Sequence, residues 1–148
     1  MSIAELGGGY AGPDERVPPQ DMSAEQSVLG SMLLNKDAIA ESLQSVKAHD
    51  FYRPAHESIF SAILDLFGRG EPADAITVAD ELTKRGELAR IGGASYLHEL
   101  VQAVPTAANA SYYAEIVHER AVLRRLVEAG TRIVQMGYGQ GEGDVEDI

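Results

Sequence analysis

The chain has 148 residues, no cysteine and a formal net charge of −11. Without cysteine it can form neither a disulfide framework nor a thiolate metal site, and it contains neither a long apolar run nor a signal-peptide pattern. The length and the apolar content of 45% predict one globular domain of a cytoplasmic protein.

The negative charge is concentrated at the two ends of the chain. Residues 1–25 and residues 138–148 each carry a net charge of −4, which leaves −3 for the residues between them. Surfaces that bind nucleic acid are normally clustered and basic. We therefore do not expect this stretch to bind DNA or RNA directly.

A helical bundle is predicted over residues 21–108, after a tail. Residues 1–20 contain GGG, GP and PP and few large apolar side chains, which predicts a disordered segment. The first helix is expected to begin at Ser23, the N-cap of a capping box that Gln26 completes. The small Gly30 within that helix predicts the close approach of a second helix.

Four more helices are predicted within the bundle. Asp37 is expected to cap a short helix, Pro54 to occupy the first turn of the next, and Thr77 to cap a third. Pro105 ends the fourth, because the residue before a proline is pushed out of the helical region. The most hydrophobic of these helices follows Pro54 and is expected to form the centre of the core through Ile59, Phe60, Ile63, Leu64 and Phe67.

A much longer helix is predicted over residues 109–137. Its apolar positions occupy more than one narrow stripe, so we expect one side to pack on the bundle and another to need a partner. Residues 138–148 are interpreted as a loop and the start of a further helix, and we expect the sequence to be a piece of a longer protein. The predicted fold is all-α, with about six helices.

The sequence contains no pattern typical of a catalytic site. None of the four histidines belongs to an H-E-x-x-H pair, and we interpret them as surface or interface residues. The phosphate-binding pattern G-x-x-x-x-G-K-[ST] and the hydrolase pattern G-x-S-x-G are also absent from the sequence. We therefore predict no catalytic, cofactor-binding or metal-binding residue, and we do not expect this stretch alone to be an enzyme.

Four arginines lie along the long helix, and two interpretations of them stay open. They are Arg120, Arg124, Arg125 and Arg132. One interpretation is a solvated stripe with glutamate partners, such as Glu128 four residues after Arg124. The other is a surface that faces another subunit or an acidic partner.

Seven segments stand in the order and spacing of a known family. They are PPQ (18–20), AEQSVLG (24–30), DFYRPAHESIF (50–60), ITVADEL (76–82), GGASYLHEL (92–100), VPTAAN (104–109) and YYAEIVHERAVLRRL (112–126). Together they resemble the N-terminal domain of the bacterial replicative DNA helicase of the DnaB family. The resemblance covers about residues 18–148.

The resemblance implies a small orthogonal helical bundle that ends in a helical hairpin. Residues 109–137 would be its first arm, and residues 138–148 the hairpin loop and the start of a truncated second arm. In this family the hairpins pair between subunits, which builds a trimer-of-dimers collar on a hexameric ring. The residues expected at the subunit interface are Tyr113, Ile116, Leu123, Leu126 and Val134.

The resemblance also implies partners and a cofactor for the parent protein. Primase docks on the collar, and the positions that match its contacts are Tyr96, Val127 and Ile133. A separate ATPase domain unwinds DNA with ATP and Mg²⁺ and makes most of the DNA contacts. A helicase loader is a further expected partner, and the expected location is the cytoplasm, at the replication fork in the nucleoid.

Two other hypotheses stay open from the residues alone. A primase carries a related helical bundle and hairpin at its helicase-binding C-terminal end, but PPQ and AEQSVLG open near residue 18, which favours the helicase. A small helical DNA-binding domain is the second alternative, and the sequence pI of 4.7 is evidence against it.

Overall fold

The computed structural model describes residues 16–139 and 145–147, and every regular element within them is helical. The seven α-helices of this described part are α1 (Met22–Leu34), α2 (Lys36–Ser42), α3 (Pro54–Gly68), α4 (Ala75–Lys84), α5 (Leu88–Ile91), α6 (Gly93–Ala103) and α7 (Ala110–Gly137). Single 3₁₀ turns are formed by Ala48–Asp50, Ala107–Asn109 and Val145–Asp147. The all-α prediction is confirmed, and the one-turn helix α5 is the element that it missed.

The first helix starts earlier than predicted. Its N-cap is Asp21, whose side chain accepts a hydrogen bond of 3.0 Å from the backbone N–H of Ala24. The predicted capping box at Ser23 is therefore wrong. The Asp21 carboxylate, two residues upstream, is a charge-assisted acceptor for the free N–H groups at the start of the helix. Gln26 instead points towards Tyr96.

Two other caps were also assigned to the wrong residue. Asn35, and not Asp37, caps α2 by accepting the N–H of Asp37 at 2.8 Å. Asp74 caps α4, and Thr77 is the third residue of that capping box, with its hydroxyl accepting the N–H of Asp74 at 3.0 Å. In each case two polar residues compete for one cap, and the apolar periodicity does not decide between them.

Helix α3 buries its predicted apolar face, but the helix at the centre of the bundle is α1, which packs against α2, α3, α6 and α7. Pro54 is its first residue, and the side chains of Ile59, Phe60 and Ile63 are fully buried. Leu64 and Phe67 are partly buried and pack against the same cluster. The elements that pack on α3 are α1, α4, α5 and the 3₁₀ turn Ala48–Asp50.

The close approach predicted at Gly30 lies between α1 and α6. A Cβ atom added to Gly30 would be 2.1 Å from the carbonyl oxygen of Leu100 and 2.3 Å from Cγ2 of Val104. No side chain fits at such distances, so only glycine permits this crossing. Helix α1 then packs along both α6 and α7.

Several sequence-based predictions concern residues outside the described part. These are residues 1–15, 140–144 and 148. At the described end of the predicted tail, the carbonyl of Pro19 accepts a hydrogen bond from Arg124. None of the described helices is long and apolar enough to cross a membrane.

Candidate functional site: the free half of the long helix

The first half of α7 is attached to the bundle by small side chains. Ala110, Ala114, Val117 and Ala121 are its buried residues, and they recur at intervals of three or four along one face. This face packs on α1, on α2 and on the 3₁₀ turn Ala48–Asp50. Beyond Ala121, none of the described residues of α7 is buried.

The apolar face of α7 changes sides after Ala121. Residues seven positions apart lie on nearly the same side of a helix. The next two residues after Ala114 and Ala121 at this interval are Glu128 and Gln135. The face that packs on the bundle in the first half is therefore polar in the second half. We call the second half, residues 122–137, the arm.

The exposed apolar side chains of the arm form two neighbouring lines on its other side. One line is formed by Val122, Leu126, Ile133 and Met136, and the other by Leu123, Val127 and Val134. Leu126 and Ile133 are each 67% exposed. A helix face of this width is normally covered in a folded protein, and here no described residue of the same chain covers it.

The five residues predicted at the subunit interface fall into two groups. Tyr113 and Ile116 lie on the first half of α7, where they are partly buried against the core of their own domain. Leu123, Leu126 and Val134 lie on the arm and are exposed. The structure thus brings only the second group together with Val127 and Ile133.

Tyr96, the third residue predicted to contact primase, lies in the interior of the bundle. Its side chain is only 9% exposed. The hydroxyl is 2.5 Å from Nε2 of His56 and 2.9 Å from Nη1 of Arg53, and the side-chain amide of Gln26 lies at 3.4 Å. The guanidinium of Arg53 also lies over the ring, 4.8 Å from its centroid.

The other ring nitrogen of His56 faces the buried carboxylate of Glu25. Its oxygens accept hydrogen bonds from the backbone N–H of Tyr52 at 2.7 Å and from that of Arg53 at 3.4 Å. Nδ1 of His56 lies 2.8 Å from the same carboxylate. We call Glu25, Gln26, Arg53, His56 and Tyr96 the Tyr96 cluster.

The prediction that the histidines are surface or interface residues is wrong for His56, which is fully buried. The Tyr96 cluster comes from α1, the start of α3, and α6, and no sequence spacing connects these positions. The signal available in the sequence was Pro54, which places His56 in the first turn of α3. That signal does not reveal the partners of the histidine.

A second polar group lies where α7 leaves the bundle. Asp50 is 1% exposed, and its carboxylate accepts the backbone N–H of Lys47 at 3.0 Å. Nδ1 of His118 lies 3.2 Å from the same carboxylate, and Nη2 of Arg125 forms a short ion pair with it. Arg124 donates to the carbonyl oxygen of Asp50 at 2.6 Å.

Arg124 also joins two further parts of the chain. Its Nη1 donates to the carbonyl oxygen of Pro19 at 2.8 Å, and its guanidinium lies over the ring of Tyr52, 5.3 Å from the centroid. We call Asp50, His118, Arg124 and Arg125 the Asp50 clamp. The clamp connects α7 to the 3₁₀ turn before α3 and to the segment that leads into α1.

The pKa of the Asp50 carboxyl is lowered from its ordinary value of 3.8. Burial by itself raises this pKa, but the hydrogen bonds from the Lys47 N–H and from the side chains of His118 and Arg125, together with the charge of Arg125, outweigh it. Asp50 is therefore a carboxylate at neutral pH and can hold the positive charge of Arg125.

The four arginines of α7 do not form one uniform stripe. Arg124 and Arg125 belong to the Asp50 clamp, so the interpretation as a solvated stripe paired with glutamates is wrong for these two residues. Arg120 is partly buried and Arg132 is exposed, and neither has an ion-pair partner among the described residues. In the part of the chain that the structure describes, no group of three or more acidic or histidine side chains could hold a metal ion.

Comparison with known proteins places this fold in a family. Residues 17–119 match the family described as the DnaB-like helicase N-terminal domain. The chain belongs to this family. The resemblance in the sequence segments is thereby confirmed.

Curated relatives of the chain are considerably longer than the chain itself. It is 67% identical over 134 residues to the replicative DNA helicase DnaB of Mycobacterium leprae, which covers 90% of this chain and 22% of the relative. It is 60% identical over 154 aligned residues to DnaB of Leifsonia xyli, which covers 100% of this chain and 34% of the relative. The chain thus spans between about a fifth and a third of the length of these relatives.

Solved structures agree with the family assignment. The crystal structure of the N-terminal domain of DnaB helicase from Mycobacterium tuberculosis is 70% identical, has a TM-score of 0.82, and is matched over 82% of this chain and 88% of that one. The structure of a DnaB-like replicative helicase, described together with its interactions with primase, is 26% identical with a TM-score of 0.68. That match covers 78% of this chain and 27% of the other.

Proposed function

We propose that this chain is the N-terminal collar domain of a hexameric replicative DNA helicase, and that it pairs subunits and docks primase. Membership of the DnaB-like helicase N-terminal domain family supports this proposal. The observation that carries it is the arm, whose apolar side faces away from the bundle that its own helix belongs to.

Self-association is proposed to use the arm. Two adjacent apolar lines are wider than a single helix partner needs, so the arm can contact more than one partner helix, among them one from a second copy of the domain. Identical helices that pair in this way form a self-complementary two-fold contact. The residues proposed for it are Leu123, Leu126 and Val134, with Tyr113 and Ile116 supporting the helix from the bundle side.

Primase docking is proposed to involve Val127 and Ile133 directly. They lie on different apolar lines of the arm, Val127 at 53% exposure and Ile133 at 67%, so one partner surface can reach both. A DnaB-like helicase has been described together with its interactions with primase, and this chain shares its fold. For Tyr96 we propose an indirect contribution, because its hydroxyl is engaged inside the bundle.

The chemistry of the parent protein is proposed to lie outside this stretch. ATP hydrolysis with Mg²⁺, unwinding of duplex DNA and most DNA contacts belong to the ATPase domain expected in a protein of the length of the relatives. A helicase loader and a location at the replication fork in the cytoplasmic nucleoid are proposed on the same basis. The collar itself is proposed to have no catalytic role.

The two alternatives are less well supported. The curated relatives at 60% and 67% identity are helicases, which is evidence against the C-terminal end of a primase. A small DNA-binding domain would need a clustered basic face, whereas Arg124 and Arg125 are engaged within the Asp50 clamp. Binding of single-stranded DNA with a clear salt dependence would revive that alternative.

The self-association is tested by placing a charge on the arm. Leu126→Asp is expected to lower the sedimentation coefficient to that of a monomer at concentrations where the wild type associates, because a buried unpaired carboxylate is costly at an interface. Gln135→Asp introduces the same group on the polar side of the same helix and should leave association unchanged. Equal association of all three proteins would contradict the proposed interface.

Primase docking is tested by titration calorimetry with the helicase-binding domain of a primase. Val127→Asp and Ile133→Asp are expected to reduce the affinity at least tenfold, about 1.4 kcal/mol, while the circular dichroism stays helical. Gln135→Asp is again the matched control. Unchanged affinity in both variants would contradict the proposed docking surface.

A further inference from the structure

The Asp50 clamp stands at the boundary between the anchored and the free part of α7. Ala121 is the last buried residue of the helix, and Arg124 and Arg125 follow within one turn. From Arg125 to Gly137 the helix continues for about 18 Å at 1.5 Å per residue. Any change in direction at the clamp is therefore carried to the end of the arm.

The apolar contact before the clamp is poorly suited to hold this direction alone. Three of its four buried residues are alanines, Ala110, Ala114 and Ala121. Alanine allows helices to approach closely, but its single methyl group does not interdigitate as the branched side chains of a core do. Val117 and the partly buried Tyr113 and Ile116 are the larger side chains of this contact, and all three precede Ala121, so polar contacts are needed to fix the direction of the helix beyond it.

The clamp supplies contacts on both sides of this surface. Arg124 reaches Pro19 and the Asp50 carbonyl, while Arg125 and His118 reach the Asp50 carboxylate. Hydrogen bonds are directional, and a charged donor with a carboxylate acceptor is the strong kind. Tilting α7 would lengthen bonds on one side of the helix and compress those on the other.

The buried position of Asp50 distinguishes it from an ordinary surface ion pair. Exposed pairs contribute little because water competes for both partners. The Asp50 carboxylate is 2% exposed, so it depends on its protein partners for hydrogen bonds. Arg125 is 45% exposed and can be replaced without opening a cavity in the core.

We infer that Asp50 is a positioning residue that sets the direction in which the arm leaves the bundle, acting through Arg124, Arg125 and His118. The partners of its carboxylate are the Lys47 N–H, His118 and Arg125, and none of them is an exposed apolar residue of the arm. Its effect on pairing between subunits rests on the proposed function, whereas its effect on the direction of the arm does not. The N-terminal segment takes part, because the carbonyl oxygen of Pro19 accepts a hydrogen bond from Arg124.

The direction of the arm can be measured by electron paramagnetic resonance between two nitroxide labels. These 148 residues contain no cysteine, so cysteines placed at Glu99 on α6 and at Gln135 on the arm would be labelled cleanly. A second pair, Glu99 and Tyr112, reports the anchored start of α7. Dilution of labelled protein with excess unlabelled protein restricts the measured distances to those within one chain.

Asp50→Asn and Arg125→Met are expected to shift or broaden the distance between positions 99 and 135 by several ångströms. The distance between positions 99 and 112 should stay as in the wild type. Arg125→Lys keeps the charge and should restore most of the wild-type distribution. Arg132→Met removes the same charge from the arm, where no described residue pairs with it, and should change neither distance.

Two results would overturn the inference. In one, Asp50→Asn and Arg125→Met leave the arm distance unchanged; in the other, both label pairs broaden alike, which means a general loosening of the fold. If Asp50→Asn does not fold, Arg125→Met decides alone. The sedimentation test with Leu126→Asp keeps the two proposals apart. If the arm distance changes in Asp50→Asn and Arg125→Met while Leu126→Asp associates like the wild type, only the proposed function is contradicted.

Discussion

The hydroxyl of Tyr96 lies 2.5 Å from Nε2 of His56, inside the bundle and away from the arm. The same oxygen receives N–H donors from Arg53 and Gln26, so its own hydrogen is directed to Nε2 of His56. Nδ1 of His56 then carries the ring hydrogen and donates it to Glu25. One tyrosine hydroxyl thus joins α1, α3 and α6.

Tyr96→Phe is expected to lower the free energy of unfolding by about 1–3 kcal/mol, because it leaves Nε2 of the buried His56 without its partner and removes an acceptor from the partly buried Arg53. Urea unfolding followed by circular dichroism measures the loss. Tyr112→Phe is the matched control, since Tyr112 is 66% exposed and its hydroxyl can bond to water. A Tyr96→Phe protein as stable as the control would contradict the structural role.

Primase binding separates an indirect role of Tyr96 from a direct one. At a temperature where both proteins are fully folded, Tyr96→Phe is expected to bind primase with wild-type affinity in titration calorimetry. This follows because the hydroxyl is already bonded within the chain. A loss of affinity without a loss of stability would instead indicate direct contact.

Glu25→Gln is expected to destabilise the domain by about 1–3 kcal/mol. The two carboxylate oxygens of Glu25 serve donors on two sides, Tyr52 on one and Arg53 with His56 on the other. An amide offers one oxygen, so its NH₂ group must face a buried donor. Glu57→Gln, an exposed change in the same part of α3, should have no measurable effect in the same urea titration.

Gly30→Ala is expected to destabilise the domain by about 1–3 kcal/mol, because the new Cβ would force α1 and α6 apart. The gain in helix propensity of roughly 1 kcal/mol does not offset the overlap with Leu100. Gly130→Ala is the matched control in α7, where nothing lies within 4 Å of the added Cβ. It should raise the melting temperature, and a rise in both variants would contradict the close crossing.

Asp50 should make stability dependent on pH in the acid range. Because its pKa is lower in the folded protein than the ordinary value of 3.8, its contribution is complete above that value and is lost as the pH falls through the folded-state pKa. The difference in unfolding free energy between wild type and Asp50→Asn is therefore expected to be constant near neutral pH and to shrink below pH 3.8. Urea titrations at several pH values measure it, and a difference that persists unchanged into that range would contradict the lowered pKa.

The helix boundaries show how far local patterns can be trusted in this chain. Pro54 and Pro105 mark a helix start and a helix end in both the prediction and the structure, because proline restricts the backbone locally. The caps were less well predicted. The N-caps are Asp21 and Asp74 and not the predicted Ser23 and Thr77, since neighbouring polar side chains can each satisfy the same free N–H groups.

The arm was predictable in part. Apolar residues on more than one stripe indicated a helix with a second partner, and Leu126, Val127 and Ile133 are indeed exposed. The sequence pattern did not separate these residues from Tyr113 and Ile116, which are equally apolar but pack on their own core. Which turn of α7 leaves the bundle depends on where the bundle ends, and that depends on the other helices.

The sequence by itself determined the all-helical fold, the buried face of α3 and the family, because periodicity, proline and ordered segments are local properties of the chain. The tertiary structure alone decided that Tyr96 is held inside by His56, which in turn bonds to Glu25, and that Arg124 and Arg125 hold α7 through Asp50. Hydrogen bonds between helices require distances near 3 Å and defined angles. Those distances follow from the way helices cross, which residue types and spacing do not specify.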